Sequence, residues 1–454
     1  KHIYMISIGN LQIKLCLGDV EVSKAYLGDV QVYGSTPQPV GKYMTITVDD
    51  GANGTTIAPT VKGSITPNLQ YRINNGEWSD FIVGTTADIK VVAGDVVQFK
   101  GLNPNGVSTS YNDYLNFAIS GNPVALSGNV MSLIDGVGDA LEIPCIYCFC
   151  RLFQDSIIKT VSSDFLPATT LAEECYTSMF ASCTSLVNAP ALPATTIAKE
   201  CYGSMFYGCS ALVTAPELPA TTLVYSCYRS MFEGCTALTT APALPATTLV
   251  VNCYAEMFYE CTSLATAPVL PATTIAGSCY RSMFYGCTSL TTAPALPATT
   301  LATWCYYDMF YGCTSLTTAP SSLPATTLSD RCYPSMFSGC TSLTTAPELP
   351  ATTLAYDCYA SMFSGCTSLT TAPELPATTL AEKCYLGMFE GCQNLNYVKC
   401  LATDITATNA LKDWLYKVAV SGKFVKKYGV SYPTGISGIP SGWSVVEEKP
   451  KPEG

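Results

Sequence analysis

Leu301–Pro324 reads LATWCYYDMFYGCTSLTTAPSSLP, and the same sentence is written nine times between residues 171 and 396. Its Cys-Tyr pair recurs at Cys175, Cys201, Cys227, Cys253, Cys279, Cys305, Cys332, Cys358 and Cys384. The step is 26 residues, except one of 27 where Ser321 and Ser322 replace a single residue. A fixed period of this size marks a solenoid, in which each copy is one supersecondary unit stacked on the next.

Within a copy, Ala302, Cys305, Tyr306, Met309, Phe310 and Cys313 are spaced i, i+3, i+4, i+7, i+8, i+11. That spacing predicts the buried face of an α-helix. Thr300 stands where an N-cap belongs, and the pairs Thr170 with Glu173 and Thr379 with Glu382 fit a capping box. Gly312 stands where a left-handed C-cap belongs, and seven copies carry glycine there, Ser182 and Glu260 being the exceptions. The run Leu316-Thr317-Thr318-Ala319, stopped by Pro320, predicts a short strand. The expected fold is therefore an α/β solenoid with one short strand and one short helix per copy. Stacking buries ladders of Leu, Cys, Tyr, Met and Phe that one copy cannot bury alone.

The run F-x-G-C-T-S-L-x-x-x-P-x-L-P resembles the cysteine-bearing leucine-rich repeat of bacterial surface proteins, a type found in gut Bacteroides and their phages. The match covers about half of the chain. Alanine replaces the usual aliphatic strand residue at Ala293 and Ala319, and the repeat is longer than the commonest form. The resemblance implies a leucine-rich repeat solenoid that presents a recognition surface.

The flanks divide by composition. Residues 1–36 predict a small β attachment segment, with LGDVEV (Leu17–Val22) echoed by LGDVQV (Leu27–Val32) and strands at Ile13–Leu17, Val20–Tyr26 and Val30–Tyr33. Three such strands bury little alone and call for a partner surface, or else pack on the next domain. Ser35–Pro39 is a linker by composition. Residues 43–135 alternate as antiparallel β, with Asn75-Gly76 as a hairpin signal, and predict a β-sandwich that serves as spacer or docking module. Residues 136–170 read as the entrance cap, where Cys148-Phe149 and Leu152-Phe153 imitate the Cys-Tyr and Met-Phe pairs. The repeats proper occupy 171–400. Residues 401–446 read as the exit cap, with a helix Ala410–Val418 capped by Asn409, a strand at Phe424-Val425, and Ile436, Ile439, Trp443 and Val445 closing the core. Residues 447–454, charged and proline-rich, read as a disordered tail.

Chemistry-bearing constellations are few. The single histidine is His2, which leaves no basis for a Ser-His or Cys-His pair, and no glycine-rich phosphate loop is visible. The reading is non-enzymatic, with no cofactor. Eighteen of the 23 cysteines fall in two columns of nine. The two in each copy are eight residues apart, so on a helix they lie about 12 Å apart, beyond disulfide reach. They read as reduced, buried ladders. Cys145, Cys148 and Cys150 invite a zinc reading but lack a fourth ligand nearby, so no metal is expected. A net charge of −11 argues against nucleic acid, and no run of 18 apolar residues suggests membrane insertion.

Buried positions barely change between copies, while outward ones vary. Tyr207, Tyr225, Tyr259, Tyr285, Trp304, Tyr307, Tyr311 and Tyr356 stand at outward positions and are the candidate ligand-binding residues, since such side chains offer an apolar face and a polar handle. A tolerant solvent face explains the same variation. Thr291, Thr317, Thr344 and Thr370 form a second array, which ladder packing explains and ice binding would be a remote alternative for. Tyr26–Val32 resembles amino-terminal segments of gut phage tail and fibre proteins, and Gly438–Trp443 resembles the endings of gut phage and Bacteroides repeat proteins. They imply a virion protein assembled in the bacterial cytoplasm, a tail fibre joined to other virion proteins through residues 1–36 and binding a host cell-surface glycan or protein, with a homo-oligomer possible. The alternative is a bacterial cell-surface adhesin, which a signal peptide or lipobox upstream of Lys1 would favour, whereas neighbouring phage structural genes would favour the virion protein.

Overall fold

The structure, a computed structural model, describes residues 42–51 and 53–448 and, within 1–41, four backbone strands. These are β1 (Tyr4–Ile8), β2 (Leu11–Leu15), β3 (Ala25–Leu27) and β4 (Val30–Tyr33). They make two antiparallel pairs, β1 with β2 and β3 with β4. The expected strand Ile13–Leu17 is thus replaced by Leu11–Leu15, and Tyr4–Ile8 is an additional strand. Gly18-Asp19 and the linker Ser35–Pro39 lie outside the described residues. Residues 1–41 form one compact unit and residues 42–454 a second.

The second unit opens with a two-layer β-sandwich. Its strands are β5 (Met44–Val48), β6 (Thr55–Lys62), β7 (Gln70–Ile73), β8 (Ser79–Asp80), β9 (Ile89–Val91), β10 (Val96–Lys100), β11 (Ser108–Ser110), β12 (Asp113–Ser120) and β13 (Val124–Ser127). A single helical turn, α1 (Ser132–Asp135), and β14 (Ile158–Val161) follow. One sheet has the order β14-β13-β5-β10-β7-β8 and the other β11-β12-β6-β9. Alternation dictates this: Met44, Ile46 and Val48 point inward from β5, and Val97 and Phe99 from β10. The β7–β8 turn carries left-handed Asn74 (φ 51°) and Asn75 (φ 60°), two consecutive positive φ values of the kind a hairpin twist favours, so the turn sits one residue before the expected Asn75-Gly76.

The repeats are where structure and expectation part. No copy forms an α-helix; each expected helix is a ribbon of tight turns. In the copy around Cys305, Trp304 (φ 63°), Asp308 (φ 52°) and Gly312 (φ 70°) are all left-handed. Every fourth residue breaks a helix, and the same three offsets recur in the other copies, as at Ser226, Ser230 and Gly234. The backbone donors alternate. Cys305, Met309 and Cys313 donate within the copy to Ala302, Tyr306 and Phe310 (3.2–3.3 Å), whereas Tyr306, Phe310 and Gly312 donate to Cys332, Met336 and Ser338 of the next copy (2.8–3.0 Å). The i, i+3, i+4 spacing was therefore two adjacent inward residues in each four-residue turn. Gly312 is left-handed as expected, but it closes a turn and not a helix. The supposed N-cap Thr300 is a ladder residue bridging Thr274, and Thr170 of the first supposed capping box bridges Thr196.

The strand expectation at Leu316–Ala319 reduces to single parallel bridges, with Thr318 pairing Thr292 and Thr345. This ladder continues the sandwich: β14 pairs β13 in parallel, then Thr160 bridges Asn188, Asn188 bridges Thr214, and Thr214 bridges Thr240. At the far end Thr371 bridges Tyr397 of β15 (Tyr397–Cys400), which pairs in parallel with β16 (Lys423–Lys427) and through it β17 (Ser444–Glu448).

Because copies pair like strands, they lie about 5 Å apart and not at the ~10 Å of packed helices. Side chains at one offset consequently stack ring on ring. The Phe column runs Phe153, Phe180, Phe206 and on to Phe389 with centroids 5.5–5.7 Å apart and planes within 8°. The Tyr column begins on Phe149 and ends on Trp414. Phe117 of β12 packs on Phe153 at 5.6 Å, so sandwich and solenoid share one core.

The exit cap repeats the ribbon: Asn409, Asp413 and Lys417 are left-handed, so the expected helix Ala410–Val418 is also turns. Trp414, Leu415, Ile439 and Trp443 are buried as expected, but Ile436 (56%) and Val445 (46%) are exposed. Glu447 and Glu448, expected in a disordered tail, belong to β17.

All 18 repeat cysteines are buried free thiols. In the second column each sulfur donates to a phenylalanine carbonyl of the preceding copy, as Cys209 does to Phe180 and Cys235 to Phe206, both at 3.1 Å. Burial pushes the Cys209, Cys261 and Cys313 thiols up to about 12, leaving almost no thiolate at neutral pH. An aqueous alkylating reagent is therefore expected to leave these 18 untouched in native protein and to label them all after denaturation. Titration showing most of them already oxidised would contradict the ladder.

Candidate functional site

Two residues lie between successive inward pairs of the ribbon, so each copy offers outward columns at offsets such as those of Trp304, Tyr307, Asp308 and Tyr311. In one of them Tyr259, Tyr285 and Tyr311 stack at 4.4 and 4.6 Å with planes within 5°. Tyr207 occupies the same column two copies earlier, separated from Tyr259 by Glu233, and is 44% exposed. The stack presents ring edges and hydroxyls, because neighbouring rings cover the faces of Tyr285.

Beside it lies a cationic–aromatic cluster. Trp304 meets Tyr307 edge to face at 4.8 Å. The Arg331 guanidinium carbon lies 4.9 Å from the Trp304 ring and 4.8 Å from the Tyr356 ring, while Arg331 also pairs Asp357 at 3.4 Å. Lys383 donates to the Tyr356 hydroxyl at 2.8 Å. Tyr225 stands apart, near Lys199 and three copies from Trp304. Thus the structure brings together Tyr259, Tyr285 and Tyr311 and joins Trp304 and Tyr356 through Arg331, with Tyr307 against Trp304, whereas Tyr207 and Tyr225 lie toward the amino-terminal copies.

Glu256, Asp357 and Lys383 were not singled out from sequence. Glu256 holds Arg229 at 3.2 Å and Arg281 at 4.0 Å, tying three successive copies. The available signal was register: each sits at a fixed offset from its Cys-Tyr pair, and residues 26 apart are neighbours. A helical reading sought neighbours three and four apart and passed over them.

Asp308 carries the most perturbed carboxyl of this face. Burial raises it to about 6, opposed by a hydrogen bond from Ser335 and by Arg281. An acid raised in the folded state favours folding when protonated. Its contribution is complete below the unfolded value near 4 and is lost as pH rises through about 6. Asp308→Asn, which also suits a left-handed position, is expected to stabilise at pH 7 by about 1 kcal/mol after discounting for solvent. Urea midpoints at pH 4 and pH 7 check this: the gain should vanish at the lower pH, and a gain equal at both would sink the assignment.

The threonine face is self-satisfied. Thr317 Oγ1 donates to the Thr291 carbonyl at 3.2 Å, and Thr239 to Val213 at 3.5 Å. Among the described residues no group of three or more His, Cys, Asp or Glu is placed to hold a metal ion, and no helix is long and apolar enough to cross a membrane.

Parallel ladders, stacked turns and columns of Leu, Cys, Tyr, Met and Phe define a solenoid repeat protein whose variable surface is its outward ribbon. The chain belongs to the BspA type leucine rich repeat region family, whose pattern matches residues 166–291 and 304–410 in six copies. A crystal structure of a leucine-rich repeat protein from Bacteroides ovatus is similar at 16% identity, covering 85% of this chain and 100% of that one, with a TM-score of 0.29. No curated protein matches the sequence.

Proposed function

We propose that this chain is a non-catalytic recognition protein of the bacterial cell surface, an adhesin-type leucine-rich repeat protein that binds a protein partner through the outward ribbon around Tyr259–Tyr356. Membership of the BspA type repeat family favours this over the phage tail-fibre reading, which rests on two short phrases and finds no support among the comparisons. The observation that carries the choice of face is the joining of aromatics and cations: Arg331 lies over both Trp304 and Tyr356 beside the Tyr259–Tyr285–Tyr311 stack. Aromatic and arginine side chains dominate the energetics of protein interfaces. Stacked rings show edges rather than faces, which suits side-chain and backbone contacts better than the flat stacking a sugar requires.

The test is attachment of fluorescently labelled protein to a panel of mammalian epithelial and bacterial cells. The variant Trp304→Ser/Tyr307→Ser/Tyr311→Ser is compared with a matched threonine-face variant. Loss of attachment in the first alone supports the reading; loss in the second alone transfers recognition to the strand side.

A further inference from the structure

Cys145 differs from every cysteine in the ladders. It is half-buried, whereas the 18 repeat thiols are enclosed. It forms a C-x-x-C pair with Cys148, the residue that begins the inward Cys column before Cys175. In a regular copy the corresponding positions are Ala302 and Cys305, the two ends of a tight turn closed by the Cys305 amide donating to the Ala302 carbonyl at 3.3 Å. The ends of such a turn lie within about 7 Å of each other, overlapping the Cα separation a disulfide needs; Cys145 and Cys148 stand at these two offsets, without the closing hydrogen bond of the regular copy.

The surroundings keep this sulfur in reach. A Cβ placed on Gly106 (φ +84°) would stand 2.5 Å from the Cys145 Sγ and 3.2 Å from the Cys148 Cα, so the sulfur and the Cys148 backbone both border the space that Gly106 leaves open. Cys145 also donates to the Asn105 carbonyl at 3.0 Å. The neighbouring Cys148 thiol lowers the pKa of Cys145 from the ordinary thiol range, while burial pushes Cys148 up. An accessible attacking thiol with an enclosed resolving thiol is the division of labour that exchange requires.

We propose that Cys145 and Cys148 are a thiol–disulfide exchange site in the entrance cap, oxidised by small-molecule disulfides such as glutathione disulfide. The Cys145 thiolate attacks one sulfur of the small disulfide; its S–S bond breaks and one thiolate leaves. Cys148, giving its proton to that departing thiolate, attacks the Cys145 sulfur and expels the second thiolate. Two protein thiols lose two electrons and two protons, and one disulfide becomes two thiols.

The experiment incubates the full chain with glutathione disulfide, quenches by alkylation and maps every cysteine by mass spectrometry. The wild-type peptide is expected to be lighter by two hydrogens with a Cys145–Cys148 bond and no lasting adduct. Cys148→Ser is expected to trap glutathione on Cys145 with occupancy at least about tenfold above any ladder cysteine. Cys145→Ala, which restores the residue of a regular copy, should leave Cys148 unmodified, and with the wild-type map it decides the matter if Cys148→Ser does not fold. An unmodified Cys145, a lasting wild-type adduct, or a bond from Cys145 to any other cysteine would overturn the proposal.

Discussion

Phe284→Ala is expected to cost the solenoid about 3–5 kcal/mol, the usual range for emptying a fully enclosed aromatic site. Phe284 is 0% exposed and stacks between Phe258 at 5.7 Å and Phe310 at 5.5 Å. Its carbonyl accepts from the Cys287 amide (3.1 Å) and the Cys313 sulfur (3.0 Å), so the surrounding backbone is pinned and collapses poorly into the vacancy. Repeat arrays pass stability from neighbour to neighbour, so a weak middle copy should also broaden the transition as the two halves uncouple. Denaturant titration followed by near-ultraviolet circular dichroism measures both effects. Phe284→Leu should recover more than half the loss, and Val269→Ala, at a site 79% exposed, should cost nothing measurable. A loss below about 1 kcal/mol for Phe284→Ala would mean the column does not bear on stability.

The triple change Trp304→Ser/Tyr307→Ser/Tyr311→Ser is expected to weaken attachment by at least about tenfold, which needs only 1.4 kcal/mol. Interface anchors of these types each cost on the order of 2 kcal/mol when truncated, so the loss should exceed that floor. Fold retention is argued from the other copies. Serine already occupies the Trp304 offset at Ser226 and Ser278 and the Tyr311 offset at Ser338 and Ser364; the Tyr307 offset carries Ala255 and Ala360. Far-ultraviolet circular dichroism and the urea midpoint should therefore match the parent. Unchanged attachment with an intact fold would remove this face from consideration.

Much of the candidate face was legible because period alone assigns offsets, and offsets separate inward Cys-Tyr and Met-Phe pairs from outward residues. Tyr259, Tyr285 and Tyr311 could be placed in one column from numbering. Their ring-on-ring contact could not, since a helix-based spacing puts neighbouring copies about twice as far apart as strand-like pairing does. The bridging of Trp304 and Tyr356 by Arg331 was hidden for the same reason.

The sequence by itself determined the repeat, its register, the identity of the buried columns and the left-handed glycine at offsets such as Gly312. It did not distinguish a helix from a ribbon of turns. Two inward residues in every four reproduce the i, i+3, i+4, i+7, i+8 signature, and a single copy would satisfy its amides best as a helix. Only stacking supplies the alternative. Tyr306, Phe310 and Gly312 find their acceptors in Cys332, Met336 and Ser338 of the next copy. Left-handed residues such as Trp304 and Asp308 each cost about 1–2 kcal/mol, and the inter-copy hydrogen bonds and stacked rings that offset this exist only once the copies are assembled. Local pattern chose the faces; the conformation that carries them was decided by partners 26 residues away.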